Sequence, residues 1–248
     1  MSLVPCVIVW DESQKKAFEE VKNILTSSPG PVLRYFDPSK PIVLQVDASK
    51  HGLGAALMQE GKPITYASKS LTPSECDYAQ IEKELFAIVF GCKRFHHYIY
   101  GCKVTVQSDH KPLIPIFKKP LHAAPPRLQR MLLQLGNYDL DVVYIPGTKI
   151  PLADTLSRKH LPNSYPQYSK GMDAHVHSII SRVPISNRRL DEIRMATTND
   201  LGLQTLIKVI LNGWPAERRS CDSSLINFWN HRDELSYLDG LVLKGTRS

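Results

Sequence analysis

No stretch of the 248 residues approaches the roughly 18 consecutive apolar side chains that a membrane-spanning helix requires. A soluble chain is expected. The opening residues, MSLVPCVIVWDESQKK, hold a short apolar run with no basic segment ahead of it and no small-residue cleavage site, so a secretory signal is not expected and the setting is intracellular. Cysteine is sparse: Cys6, Cys76, Cys92, Cys102 and Cys221 form an odd, scattered set without a Cys-x-x-Cys pair. Neither a disulfide framework nor a zinc site is indicated. Gly-x-Ser-x-Gly, a Walker A loop and Gly-x-Gly-x-x-Gly are all missing; GLGAAL after Asp47 is too short a match and leads into a strand. Nucleophilic serine chemistry and nucleotide-binding folds therefore find no support. His175, His177 and His231 lack paired cysteines at ligand spacing and read as surface or packing residues.

What is present is ordinary globular material, with 42% hydrophobic and 22% charged residues in a length that allows one or two domains. Lys and Arg number 31 against 24 Asp and Glu, an excess of +7 that suits a polyanionic partner without requiring one. Basic residues gather at Lys111, Lys118, Lys119, Arg127 and Arg130, interleaved with His110 and His122. This is either a stripe that tracks phosphates or a solvated face.

Hydrophobic spacing places a leading helix over Trp10 to Leu25, with Asp11 and Gln14 as a capping box. PIVLQVD (41–47), GAALMQ (54–59) and KPITYAS (62–68) are short strands joined by tight turns, the pattern of an antiparallel meander. From about Ser74 to Tyr98 apolar residues recur at three and four, predicting one long amphipathic helix that stops at Gly101. KVTVQSD (103–109) is a fourth strand, KPLIPIF (111–117) a Pro-interrupted segment, RLQRMLLQL (127–135) a helix, YDLDVVYI (138–145) an alternating strand and LADTLSR (152–158) a short helix. The order βββαβ(α)αβα defines an α/β domain. PNSYPQYSKG (162–171) changes composition and reads as linker; beyond it come helical patterns near Leu190–Met195 and Leu201–Leu211, then a hairpin in YLDGLVLKG. The expected divisions are 1–37 as leading segment, 38–160 as the α/β domain, 161–189 as linker and 190–248 as a mostly helical tail that acts as a spacer.

Two strands end in an acid, and strand ends in α/β sheets are where ligands gather. Asp47 alternates to the face opposite Ile42, Leu44 and Val46, and Asp109 to the face opposite Val104 and Val106, so both can reach one side of the sheet. Capping a turn is the competing role for each. On the long helix Glu82 and Glu84 lie on opposite margins of the apolar arc, and the wheel does not choose between them. A carboxylate beside a buried stripe is costly without a partner, and a bound cation would supply one. Asp154 is the fourth acid, with a helix-start charge as its alternative reading. Several carboxylates with little else reactive nearby suit hard divalent ions such as Mg²⁺.

At these residues a resemblance emerges. QVDASKHGLGAALMQ, PITYASKSLTPSECDYAQIEKELFAIV, HHYIYGCKVTVQSDHKPL and DLDVVYIPGTKIPLADTLSR, in this order and spacing, resemble the ribonuclease H domain in the polyprotein of gypsy-type LTR retrotransposons, over about Trp10 to Arg158. The resemblance implies a ribonuclease H-like α/β fold, a five-stranded mixed sheet flanked by helices. It also implies cleavage of the RNA strand of RNA–DNA hybrids by two divalent ions, Mg²⁺ or Mn²⁺, one activating the attacking water and the other stabilising the leaving 3′ oxygen. By motif the four metal-holding, catalytic acids would be Asp47, Glu84 rather than Glu82, Asp109 and Asp154. Recognition of RNA would rest on 2′-hydroxyl contacts near the first acids, which makes Ser49 a candidate nucleic-acid contact beside Lys111, Lys118, Lys119, Arg127 and Arg130.

The sequence departs from the family pattern in two places: no histidine precedes the last acid between Tyr144 and Ala153, and Ile150 stands where an Asn is usual. The resemblance further implies polymerase and integrase portions as polyprotein partners, with this chain as a fragment of the whole. The setting would be cytoplasmic, in a virus-like particle for an element-borne copy, with the nucleus as the alternative. A catalytically silent nucleic-acid-binding or structural module is the competing function. A related integrase core is disfavoured because the Glu falls between the two Asp residues in sequence.

Overall fold

The computed structural model describes residues 11–16, 18–19, 33–118, 120–121, 124–159, 187–215 and 217–244. At the start, the expected capping box is present: the Asp11 N–H donates to Gln14 Oε1 at 3.1 Å and the Gln14 N–H to Asp11 Oδ1 at 3.3 Å. Helical residues follow at 12–16 and 18–19; Trp10, Val21 and Leu25 of the expected helix lie outside the described residues.

Strands β1 (Ile42–Ala48), β2 (Gly52–Gln59) and β3 (Lys62–Ser70) form the meander. The β2–β3 turn has Glu60 at φ 50° and Gly61 at φ 74°, the doubly positive pair that matches the twist of a two-residue hairpin. Strands β4 (Lys103–Ser108) and β5 (Asp139–Tyr144) complete a sheet of order β3-β2-β1-β4-β5. β1 runs antiparallel to β2 and parallel to β4, and β4 runs parallel to β5. Both parallel pairings need crossovers, which the intervening helices supply.

The long helix expected over 74–98 is broken into α1 (Pro73–Cys76), α2 (Gln80–Arg94) and α3 (His96–Ile99). Two N-termini in tandem explain the first break. Thr72 and Glu75 form a capping box for α1, and the Ala79 N–H donates to Glu82 Oε2 at 2.9 Å at the start of α2. The Pro-interrupted segment is helix α4 (Leu113–Lys118), followed by α5 (Pro126–Leu135) and α6 (Pro151–Arg158). α2 packs on β1 and β2 from one face of the sheet, and α6 packs on the same two strands. Accordingly β2 is buried along its whole length, as a central strand covered on both faces must be.

Contact with α6 is close because residue 54 is glycine. A Cβ there would sit 2.2 Å from the Ala153 carbonyl oxygen and 2.6 Å from the Ser157 nitrogen. On the other face Gly91 of α2 lies against Leu44, whose Cδ1 would be 3.2 Å from an added Cβ.

Beyond the expected linker, whose residues through 186 lie outside the described set, come α7 (Asn187–Asn199) and α8 (Leu201–Asn212). A 3₁₀ segment at Ser223–Glu234 leads to the hairpin β6 (Leu235–Leu238) and β7 (Leu241–Lys244). Leu206, Ile210, Leu225 and Leu235 belong to the same buried apolar cluster as the sheet and α2. This tail packs on the α/β domain and is no free spacer.

Arg127 requires a correction. It was expected in an exposed basic stripe, but it is 2% exposed. Its guanidinium pairs with Glu82 and lies 4.0 Å from the centre of the Tyr78 ring. The cause is helical phase, since Arg127, Met131 and Leu135 share the buried side of α5. Glu82 is likewise settled as half of a buried ion pair. Arg127→Ala leaves that carboxyl without its cation, and unfolding by urea should show a loss of about 3–5 kcal/mol, the usual cost of removing one partner of a buried pair. Nucleic-acid binding per folded molecule should be unchanged; a fully stable variant with weakened binding would return Arg127 to the surface stripe.

Candidate active site

Asp47 sits at the end of β1 and Asp109 directly after β4, two adjacent parallel strands, while Glu84 projects from the first turns of α2. Asp47, Glu84 and Asp109 each offer one carboxylate oxygen, and the three atoms lie within 4.8 Å of one another. Asp47 and Glu84 are buried, at 6% and 3% exposure. Of the two glutamates on α2, Glu84 and not Glu82 lies in this cluster.

Electrostatics mark the site as underfilled with positive charge. Burial raises the Asp47 carboxyl above its ordinary range, with the negative charges of Asp109 and Asp154 adding to the shift and a hydrogen bond from Ser157 opposing it. Burial raises Glu84 well above the usual value, reinforced by Asp47 and Asp109. Asp109 is raised by burial and then by Asp154. One Glu84 oxygen, Oε1, accepts from the Gln80 amide at 2.7 Å; the same amide donates to the Ala48 carbonyl at 3.0 Å. The other oxygen, Oε2, is buried with no hydrogen-bond partner. A buried carboxyl oxygen without a partner, beside two more carboxyls, fits a hard divalent cation.

Asp154 stands apart from the trio. It pairs with Arg158 at 2.7 Å one turn further along α6, while remaining close enough to raise Asp47 and Asp109. The buried Ile150 precedes α6 as its N-cap residue without a side-chain cap, and Pro151 occupies the first turn. Three contributors escaped the sequence reading. Ser157 is fully buried, and its hydroxyl donates to Asp47 Oδ2; it lies three residues after Asp154, one helical turn, which was the available signal. Gln80, one turn before Glu84, is the second. Gly147 is the third, since a Cβ there would lie 2.8 Å from Asp109 Oδ2.

The other expected contacts divide. Ser49 uses its hydroxyl internally, donating to the Ser157 carbonyl at 2.8 Å and accepting from the Gly52 N–H at 3.0 Å. Lys111 is exposed, with its ammonium 4.7 Å from the centre of the Tyr144 ring. Lys118 is exposed; Arg130 is half-buried and its positive charge helps depress Lys93, whose larger cause is burial. Lys119 lies outside the described residues.

The mixed sheet of order β3-β2-β1-β4-β5, flanked by helices, is the ribonuclease H-like α/β fold expected from the sequence. Comparison with known proteins carries this to the family. Residues 10–106 match the RNase H-like domain found in reverse transcriptase. The Retrovirus-related Pol polyprotein from transposon gypsy of Drosophila melanogaster is 35% identical over 175 residues, covering 70% of this chain and 16% of that protein. The corresponding polyprotein from transposon 297 of the same organism is 39% identical over 145 residues, covering 58% of this chain and 13% of that protein. Among solved structures, the foamy viral protease-reverse transcriptase in complex with RNA/DNA hybrid is 23% identical with a TM-score of 0.40, over 62% of this chain and 20% of that one. The chain carries an RNase H-like domain of reverse transcriptase, homologous to part of retrotransposon Pol polyproteins, and spans only about a sixth of the length of the gypsy relative.

The raised carboxyls make a signed prediction. Each holds its proton to higher pH in the fold than in the unfolded chain, so the folded state binds more protons. The cluster's contribution to stability therefore falls as pH rises from about 4, where free carboxyls titrate, through the raised folded values. Glu84→Gln removes a group that burial raises well above its ordinary value. In chelating buffer the variant should gain stability over the unaltered chain progressively across that window, read from thermal unfolding at several pH values. A difference independent of pH would mean that Glu84 is not held protonated.

Proposed function

We propose that this chain is a divalent-cation-dependent endoribonuclease that cuts the RNA strand of RNA–DNA hybrids, working beside polymerase and integrase portions of a larger polyprotein. The observation that carries the reading is the Asp47–Glu84–Asp109 cluster with its buried, unpartnered Glu84 oxygen. Asp47, Glu84 and Asp109 would hold the ions, with Asp154 as the fourth ligand from α6. Bound there, a pair of Mg²⁺ ions, or Mn²⁺ in their place, would supply activation of the attacking water and charge stabilisation at the leaving oxygen.

The chain's own residues have separate tasks. Ser157 holds the Asp47 carboxylate in one orientation, and Gln80 does the same for Glu84 on its Oε1 side. His110 is pushed down to about 4 by burial and stays neutral at physiological pH, so it adds no cation to compete for the acids. Arg158, exposed at the rim beside Asp154, is placed to meet a phosphate. Lys111 and Lys118 would neutralise phosphates further along the strand without reading sequence.

The direct test is cleavage of a labelled RNA–DNA hybrid with Mg²⁺, run beside an RNA duplex and a DNA duplex. Selective cutting of the hybrid RNA strand is expected. In Asp109→Asn the shape is kept and a charge is lost, so cleavage should fall at least about a hundredfold, near 2.7 kcal/mol of barrier, while the melting temperature holds or rises. A destabilised variant with normal turnover per folded molecule would make Asp109 a structural cap. Changing Lys111 and Lys118 together to Ala should reduce the salt slope of hybrid binding by about 2, at roughly 0.9 per lost phosphate contact. An unaltered slope removes both from the interface.

A further inference from the structure

We propose that the C-terminal unit, residues 201–215 and 217–235, is an intramolecular competitor of double-helical substrate: it occupies the face over the acid cluster that a hybrid must cover. The inference rests on the nuclease reading above and adds to it a specificity element outside the catalytic domain.

Two adjoining cavities show the placement. One, of about 760 Å³, has Asp47, Glu84 and Asp109 on one wall and Asn212, Trp214 and Asp222 on the other. The second, of about 430 Å³, lies between Ile81, Asp109 and Tyr144 on one side and Ile210, Trp214 and Leu235 on the other. The turn after α8 thus forms the opposite wall of the acid site.

Contact at that turn is direct. Gly213 has φ +101° and ψ 148°, a conformation essentially confined to glycine, and a Cβ on it would be 3.7 Å from Gln80 Cγ. Gln80 is the residue whose amide holds Glu84. Behind the turn, Ile210 is 2% exposed and Leu225 1% exposed, both within the apolar cluster that includes the sheet. The seat is apolar and built, so the unit is held there by burial.

The facing wall decides what the closed form admits. Ions and water reach the acids through the cleft, whereas a double helix, recognised across a wide and shallow minor groove, meets Asn212, Trp214 and Asp222 before it meets the acids. The hybrid therefore binds only molecules whose unit has left its seat, and its apparent affinity is reduced by the open fraction. If about a tenth of molecules are open, binding is weakened tenfold.

The test uses the full chain and two substitutions outside the acid site. Ile210→Asp puts a charge into the apolar seat; Gly213→Val strains the positive-φ turn. Binding of a fluorescein-labelled RNA–DNA hybrid is followed by anisotropy in EDTA, and opening by hydrogen exchange of residues 206–214. Added hybrid should speed exchange at 206–214 in the unaltered chain, and the opened variants should bind the hybrid about tenfold more tightly. Exchange that stays slow when hybrid is bound overturns the inference, with or without a usable variant. Opened variants that bind the hybrid no better, or worse, also overturn it and leave the nuclease reading standing. Failure of every form, opened ones included, to bind hybrid overturns this inference, and cleavage of the hybrid with Mg²⁺ then decides the nuclease reading separately.

Discussion

The absence of a side chain at Gly54 is the constraint on which the site depends. With the Ala153 carbonyl oxygen only 2.2 Å from where a Cβ would stand, α6 rests on the backbone of a central strand. That closeness lets the Ser157 hydroxyl reach Asp47, sets Asp154 beside the cluster, and lets Ser49 bond the Ser157 carbonyl. Glycine inside a strand costs conformational entropy, and here the cost is offset by the contact it allows. A strand that is otherwise merely well buried becomes the ruler that fixes the distance between one acid and the helix carrying another.

Two glutamates two residues apart on α2 show how burial assigns roles. Glu82 meets Arg127, itself stacked on Tyr78, and the charge is matched within the fold. Each keeps one buried oxygen without a hydrogen-bond partner, but Glu84 meets one amide and two further acids, whose charge adds to its own where Arg127 offsets that of Glu82. Both side chains are nearly inaccessible, so the desolvation cost is similar. The difference is that one charge is met by a cation of the fold, while the other is left to a proton or to a cation that binds.

Much of this was legible in the sequence because period and punctuation suffice for it: the strand alternation that aims Asp47 and Asp109, the Glu60–Gly61 turn, and the four motifs in register. The single helix expected over 74–98 failed because a second N-terminus, with the Ala79 N–H bonded to Glu82 Oε2, opens a new helix at Gln80 after the first has stopped at Cys76. Arg127 was readable in hindsight, since its spacing of four to Met131 and again to Leu135 puts it on their buried stripe. The choice between Glu82 and Glu84 was not readable from the wheel, because it depends on α5 delivering a cation from more than forty residues away. The seating of α8 against Gln80 is of the same kind, since an amphipathic helix declares that it packs and not where.

The sheet order also carries a consequence for how the chain is made. β1, β2 and β3 pair with immediate neighbours in sequence, but the outer side of β1 is covered only by β4. A growing chain must add about 60 residues, 49 to 108, before that strand exists, which at about 5–20 residues per second takes roughly 3–12 s. For that interval the meander presents the bare backbone of β1, flanked by Leu44 and Val46, to any passing strand. Nascent copies made side by side on one message would meet through this edge, so the parallel crossover that later builds the acid site also leaves an open strand edge during synthesis.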